Sequence, residues 1–255
     1  MGIHARGGQA RFIAAGLLVA ALVAVPARSG MAGEEAGWID LTGGGGLGAW
    51  RKPWGAWLEA GDARPRPGNG RLLEPIAGKG TIVNGRDGRT SNLLSVEEFG
   101  DVEVRLEFLI PEGSNSGIKL EGLYEIQIVD SRSKGEKNLS GRECGGIYPR
   151  AELLPRYRYL DDGHPPKRNA ARAAGEWQSL EVVFRAPRFD GLGKKTAGAR
   201  MEKVVLNGVA IHESLDLGTP TGHAWHLPEV RRGPLLLQAD HGPVAFRNVR
   251  VRKLE

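Results

Sequence analysis

The chain has 255 residues, 40% apolar and 25% charged, with a formal net charge of +5; this is the composition of a folded protein, not of a disordered or fibrous one. Glycine is at about twice its usual share, with 38 residues beside 15 prolines. That excludes a helical bundle or coiled coil, since these are the two poorest helix-interior residues, and one cysteine excludes an internal disulfide framework or a thiolate zinc cluster.

The chain opens with Arg6 and Arg11 and no acid, followed by the uncharged run Phe12 to Val25 and the small residues PARSGMAG. This basic, apolar, small-residue order is that of a secretory signal peptide, and 14 apolar residues are too few for a comfortable membrane span. Cleavage is expected between Ala27 and Ala32, giving a signal at 1–32 and a single domain at 33–255. The signal carries three Arg and no Asp or Glu, so the remaining chain has a net charge of only +2. No basic stripe interleaved with aromatics appears, and no nucleic-acid partner is expected.

Strand signals then recur. GGGG at 43–46 reads as a turn between a first strand, WIDL, and a tryptophan-bearing one. VEEF at 96–99 suggests a helical turn. DVEVRLEFLI (101–110) alternates, with Val102, Val104, Leu106, Phe108 and Ile110 on one face. IKLEG and YEIQIVDS follow, separated by a glycine turn, and EWQSLEVVFRA (176–186) is another long strand. MEKVVLNGVAIHE (201–213) is a hairpin about Asn207-Gly208, both of which tolerate the positive φ of a type I′ turn. PLLLQ (234–238) and VAFRNVRVRKL (244–254) close the chain, the latter with a phase slip at Arg247-Asn248 that reads as a bulge. Regular strands separated by turn chemistry predict two packed antiparallel sheets. The stretch from Ser131 to Gly175 has little periodicity and much Pro, Arg and Tyr, and a loop of that length is expected to be functional. Within it, Cys144 is expected to be a buried small hydrophobe.

Chemistry-bearing residues cluster in a few places. Glu125 and Gln127 are two apart on a strand and so share a face, opposite Tyr124, Ile126 and Ile128. An acid beside an amide suits sugar hydroxyls and proton transfer; a merely solvated face has the same pattern. Asp240 and His241 follow PLLLQ at a strand end, where an imidazole can reach a cleft. In SNSGIKLEG, Asn115 lies in a polar turn and Lys119 and Glu121 are expected on one face. Tyr148, Tyr157, Tyr159 and Trp177 supply rings for stacking on sugars, or for a core. His223 and His226 in HAWH stand three apart with no third ligand set by spacing. No cofactor is required by the pattern, and a divalent metal is compatible with it. There is no GxSxG elbow, Walker loop or dinucleotide fingerprint. The residues alone lead to an exported β-sandwich with a polar, aromatic cleft.

Taken in order, WIDLTGGGGLGAW, GDVEVRLEFLIPEGSNSGIKLEGLYEIQIVDS, CGGIYPRAE, AGEWQSLEVVFRAPRFD, KVVLNGVAIHE, TPTGHAW and GPLLLQADHGPVAFRNVRVR resemble the 3-keto-disaccharide hydrolase family over about residues 38–253. This is the family of 3-keto-α-glucoside 1,2-lyase / 3-keto-2-hydroxy-glucal hydratase domains, formerly domain of unknown function 1080. The resemblance implies a concanavalin-A-like jelly-roll sandwich acting outside the cytoplasm on oxidised glucosides. The departure is the opening turn, GGGG here, where many members carry Asn or Asp with Lys.

The implied reaction is β-elimination of the carbon-1 substituent from a sugar acidified at carbon 2 by a carbon-3 ketone, followed by hydration. It needs a base, an enolate-stabilising group and an acid for the leaving oxygen. From the faces and loops above, His241 or Glu125 is expected as base, with Asp240 orienting His241. Lys119 or Arg150 would stabilise the enolate, and Asn115, Gln127, Tyr148, Trp177 and Gln238 would hold the sugar. A lectin-like binding module, and then a glycosidase with two opposed carboxylates, are the alternatives on the same sandwich.

Overall fold

Period-two alternation is the dominant pattern of this chain, and the computed structural model realises it as two main antiparallel sheets. The structure describes residues 1–2, 36–43 and 46–254. The expected signal segment and its cleavage region lie outside the described residues, apart from Met1 and Gly2. Among the described residues no helix is long and apolar enough to cross a membrane.

The strands are β1 Trp38–Asp40, β2 Leu58–Arg66, β3 Asn69–Val83, β4 Leu93–Phe99, β5 Val102–Leu109, β6 Asn115–Leu120, β7 Tyr124–Val129 and β8 Ala151–Glu152. They continue with β9 Arg158–Tyr159, β10 Gln178–Arg185, β11 Arg188–Phe189, β12 Lys195–Ala197, β13 Ala199–Leu206, β14 Val209–Leu217, β15 Gly233–Leu237 and β16 Ala245–Lys253. The larger sheet runs β14-β13-β10-β5-β16-β3-β2, with β1 also paired to β16, and the smaller runs β4-β15-β6-β7. Hairpins β8-β9 and β11-β12 stand apart.

The inner faces of the two sheets share one apolar core, as in a β-sandwich. Val104, Phe108, Val182, Phe184, Phe246 and Val251 from the larger sheet and Leu93, Ile118, Tyr124, Ile126 and Leu237 from the smaller are all buried in it. Tyr124 meets Phe184 across the gap with ring centroids 5.4 Å apart. Tyr124, Ile126 and Ile128 thus face inward, and the polar residues between them are left to the outer face.

Asn207 and Gly208 take positive φ, 52° and 80°, at the β13–β14 turn, as that dipeptide requires. The slip at Arg247-Asn248 is a register shift of β16 against β5, with Asn248 at φ 52°. Residues 96–99 are strand, not the expected helical turn. A register shift in the β15 pairing between Pro234 and Leu236 absorbs the broken alternation of β4. Gly43 and Gly46 lie in the turn after β1, but Trp50 follows a 3-10 turn, Gly46–Ala49, and makes only an isolated bridge to Ser95. The long β2–β3 hairpin has no clear period in sequence. At its centre a Cβ on Gly61 would lie 2.8 Å from the Ala77 carbonyl oxygen, so the two backbones meet where no side chain fits.

Candidate active site

The outer face of the four-stranded sheet is polar because the alternation of its strands makes it so. On β6, Asn115, Gly117 and Lys119 share the parity opposite to the buried Ser116, Ile118 and Leu120. On β7, Glu125 and Gln127 do the same, and the register sets Lys119 opposite Glu125 and Gly117 opposite Gln127. The Lys119 ammonium lies 2.9 Å from Glu125 Oε2, with both side chains buried. Gly117 makes this possible: a Cβ there would stand 2.7 Å from Glu125 Oε1, so the Glu125 side chain occupies space that any other residue would fill. Gln127 Oε1 is buried with no hydrogen-bond partner, an acceptor that must find a donor or cost free energy.

The neighbouring strands contribute at their ends. Gln238 follows β15 and Asn92 precedes β4. Asn92 Oδ1 accepts the Ala239 amide at 2.8 Å. Beneath them the fully buried Asn84 ties down the same loop. Its Nδ2 donates to the Gly88, Ala239 and Gly242 carbonyls at 3.1, 3.1 and 2.7 Å, and its Oδ1 accepts the Val244 amide at 2.8 Å. On the loop so held, His241 Nδ1–H donates to Asp240 Oδ1 at 2.6 Å. This leaves Nε2 as the basic nitrogen of the neutral ring.

The long irregular segment closes the pocket. Residues 145–148 run along β7, with Gly145 donating to the Gln127 carbonyl at 2.8 Å, Gln127 to Gly146 at 2.9 Å and Tyr148 to Glu125 at 3.1 Å. His212, buried and donating Nε2–H to the Gly145 carbonyl at 2.8 Å, fixes this segment from below. Burial pushes His212 down to about 4, against the raising effect of that bond. The Tyr148 hydroxyl lies 3.1 Å from those of both Tyr157 and Tyr159. Burial first, then these bonds, holds the Tyr148 phenol protonated far above its usual range. Thr221 Oγ1 accepts the Glu125 amide at 2.9 Å, and Gly222, at φ 58°, and His223 continue the rim.

The result is a pocket of about 440 Å³, in the range of small-molecule sites. Ten residues that the sequence offered for the sugar and its chemistry line it: Asn115, Lys119, Glu125, Gln127, Tyr148, Tyr157, Tyr159, Gln238, Asp240 and His241. Two others do not. Arg150 is paired with Asp161 at 2.7 Å and lines an adjoining cavity of about 400 Å³ behind Tyr148. Trp177 sits over the larger sheet, donating to Asp62 at 3.0 Å beneath the Arg247 guanidinium, 4.0 Å from its ring, because the outward parity of the residue before β10 belongs to that sheet. Glu121 does not share a face with Lys119. It lies past the end of β6 at φ 55° and lines an apolar cleft with Phe99, Val102 and Phe184.

Sequence reasoning missed Asn92, Leu153, Gly222 and His223 as lining residues. Asn92 has the outward parity of Leu94, legible only once 93–99 is known to be strand. His223 carried a signal, but as half of a metal pair with His226, which instead packs on Trp225 at 5.6 Å. Among the described residues no group of three or more His, Cys, Asp or Glu side chains is placed to hold a metal ion. Cys144 is buried, and burial pushes its thiol up to about 11, so it is a packing residue.

An imidazole–carboxylate pair, an ammonium–carboxylate pair and several amides around one hollow can move a proton, steady an oxyanion and bind hydroxyls. No curated protein matches the chain. Two crystal structures of candidate glycosyl hydrolases from Parabacteroides distasonis share its fold. One has a TM-score of 0.61 and 22% identity over 86% of this chain and 84% of that one. The other has a TM-score of 0.53 and 19% identity over 85% of this chain and 99% of that one. The model of one protein family matches residues 37–252, nearly all of the sandwich. The chain therefore belongs to the 3-keto-alpha-glucoside-1,2-lyase-like domain family and is a carbohydrate-active enzyme of that type.

Proposed function

We propose that the protein cleaves 3-keto-glucosides by β-elimination across carbons 1 and 2 and hydrates the 3-keto-2-hydroxy-glucal so formed, for a net hydrolysis. The observation that carries this reading is the convergence of Lys119, Glu125, Asp240 and His241 on one sugar-sized pocket with Asn115, Gln127 and Gln238. The carbon-3 ketone acidifies the hydrogen on carbon 2. His241, with Nδ1–H given to Asp240, takes that hydrogen through Nε2. Negative charge develops on the carbon-3 oxygen, where the Lys119 ammonium stabilises it. The carbon-1 oxygen leaves with the proton that the imidazolium returns, and addition of water runs the same transfers in reverse. Glu125 holds Lys119 in place and is the second candidate for the base. The unpartnered Gln127 Oε1 accepts a sugar hydroxyl. Arg150 takes no part, since Asp161 engages it in the neighbouring cavity.

On the same reading the sandwich is a concanavalin-A-like jelly roll and residues 1–32 are an export signal. The domain 33–255 then works in the periplasm or outside the cell. Turnover of a 3-keto-glucoside by Glu125→Gln and His241→Ala tests the assignment. Loss of a positioned acid–base group costs about 10²–10⁴-fold. A rate undiminished in both folded variants overturns it.

A further inference from the structure

The pocket is not uniform. Its floor, on β6, β7 and the ends of β4 and β15, is made of amides and charges, whereas its outer wall is the β8–β9 hairpin. That hairpin is unusually apolar for a surface turn. Between Leu153 and Tyr159 stand four of the exposed large apolar side chains of the described residues: Leu153 at 51%, Leu154 at 81%, Tyr157 at 47% and Tyr159 at 40% exposure. Leu153, Tyr157 and Tyr159 line the pocket. Single exposed apolar residues need no explanation, but a cluster against a polar site does.

The wall is also cross-braced. Glu152 and Arg158 are cross-strand partners and ion-paired at 2.7 Å. Tyr159 meets Tyr157 edge-on, with centroids 5.4 Å apart, and Tyr148 likewise at 5.9 Å. The phenol hydroxyls turn to one another, Tyr148 bonding to both partners. The Arg142 guanidinium backs the Tyr159 ring at 5.0 Å. The Tyr148 hydroxyl engages both partners, so two of the three O–H donors are used within the cluster and one is left, and the pocket receives mainly ring surface and leucine methyls. A second sugar placed there would stack only its C–H faces and would lose water from its hydroxyls with one phenol O–H to replace it, whereas a flat apolar group would bury its faces without that cost.

We propose that the β8–β9 hairpin is the platform for the leaving group and that this group is an aryl aglycone rather than a second sugar. The inference rests on the elimination reading above: with the oxidised ring held by the groups of the polar floor, its carbon-1 substituent is left to the hairpin wall.

The test compares 4-nitrophenyl 3-keto-α-glucoside with 3-keto-trehalose as substrates of the wild type and of the Leu153→Ser/Leu154→Ser variant. The wild type is expected to favour the aryl substrate in kcat/KM by at least about tenfold, and the variant to lose about tenfold of that ratio, chiefly through KM. No aryl preference in the wild type, or an unchanged ratio in the variant, overturns the proposal. Should the wild type turn over neither compound, the elimination reading fails, and calorimetric binding of 4-nitrophenyl α-glucoside then decides the platform by itself. Binding about tenfold tighter to wild type than to the variant upholds it, and equal binding overturns it. Tyr157→Phe, which keeps the ring and removes a hydroxyl, is expected to retain the aryl preference; its loss would show that the hydroxyls do the recognising and would overturn the proposal.

Discussion

Glu121 and Glu125 are both buried acids four residues apart, and their surroundings give them opposite fates. Glu125 has an ammonium at 2.9 Å. Glu121 has no hydrogen-bond partner for either carboxyl oxygen. Burial above all, then the charges of Glu229 and Asp101, pushes Glu121 up to about 8 from 4.5, with Arg188 opposing. Around it, Glu229 is engaged by Tyr124 and Lys195, and Asp101 holds Arg185 and Arg188. The folded state thus keeps a proton that the unfolded chain releases near pH 4.5, so stability falls as pH rises from there to about 8 and then levels. Glu121→Gln removes that slope. Urea midpoints at about pH 5 and about pH 9 are expected to show the variant gaining 1–4 kcal/mol more at the higher pH, about the cost of one such buried charge; parallel curves for the two proteins would refute this. Parity on β6 and β7 was legible in sequence and located Lys119, Glu125 and Gln127 correctly. Glu121 was not, because a left-handed backbone at the strand end turned it off the face that simple alternation assigned.

Single elements explain why other parts of the site were hidden. The Gln238–His241 segment was readable as a strand end, but its shape is set by Asn84, more than 150 residues earlier, which bonds four backbone groups around it. Asn84→Ala would orphan several of these at once. A loss of about 2–4 kcal/mol in denaturant unfolding is expected, together with reduced turnover as Asp240 and His241 lose their footing. Wild-type stability in this variant would show that water replaces the amide without cost. The segment from Ser131 to Gly175 is similar. Asn169 Nδ2 donates to the carbonyls of Ser131, Arg132 and Lys134, a tertiary fastening with no periodic trace. Trp177 misled for the converse reason: an aromatic is equally at home beside a sugar or under an arginine, and only the sheet it faces decides.

At the scale of the molecule, strand recurrence and tight turns announced two antiparallel sheets, but not which strands lie side by side. β5 sits between β10 and β16, both far away in the chain, and such pairings are chosen by burial of whole faces. The body Gly37–Glu255 forms one compact unit. A chain begun at residue 33 is therefore expected to melt in one transition, within about 2 °C of the full chain; a larger drop would mean that the preceding residues support the sandwich.

The small sheet that bears the pocket has backbone laid against both flanks, along β7 and at one end of β4. On one side residues 145–148 pair with β7. On the other, Trp50 bridges to Ser95 and the Arg51 amide bonds to the Leu94 carbonyl. A bare flank would offer a ladder of amides onto which a foreign chain could zip, the usual start of aggregation. Here part of that ladder is already spent on the protein's own backbone. A sheet whose borders are shortened in this way can leave a polar face open to solvent with less risk of becoming a template for fibres.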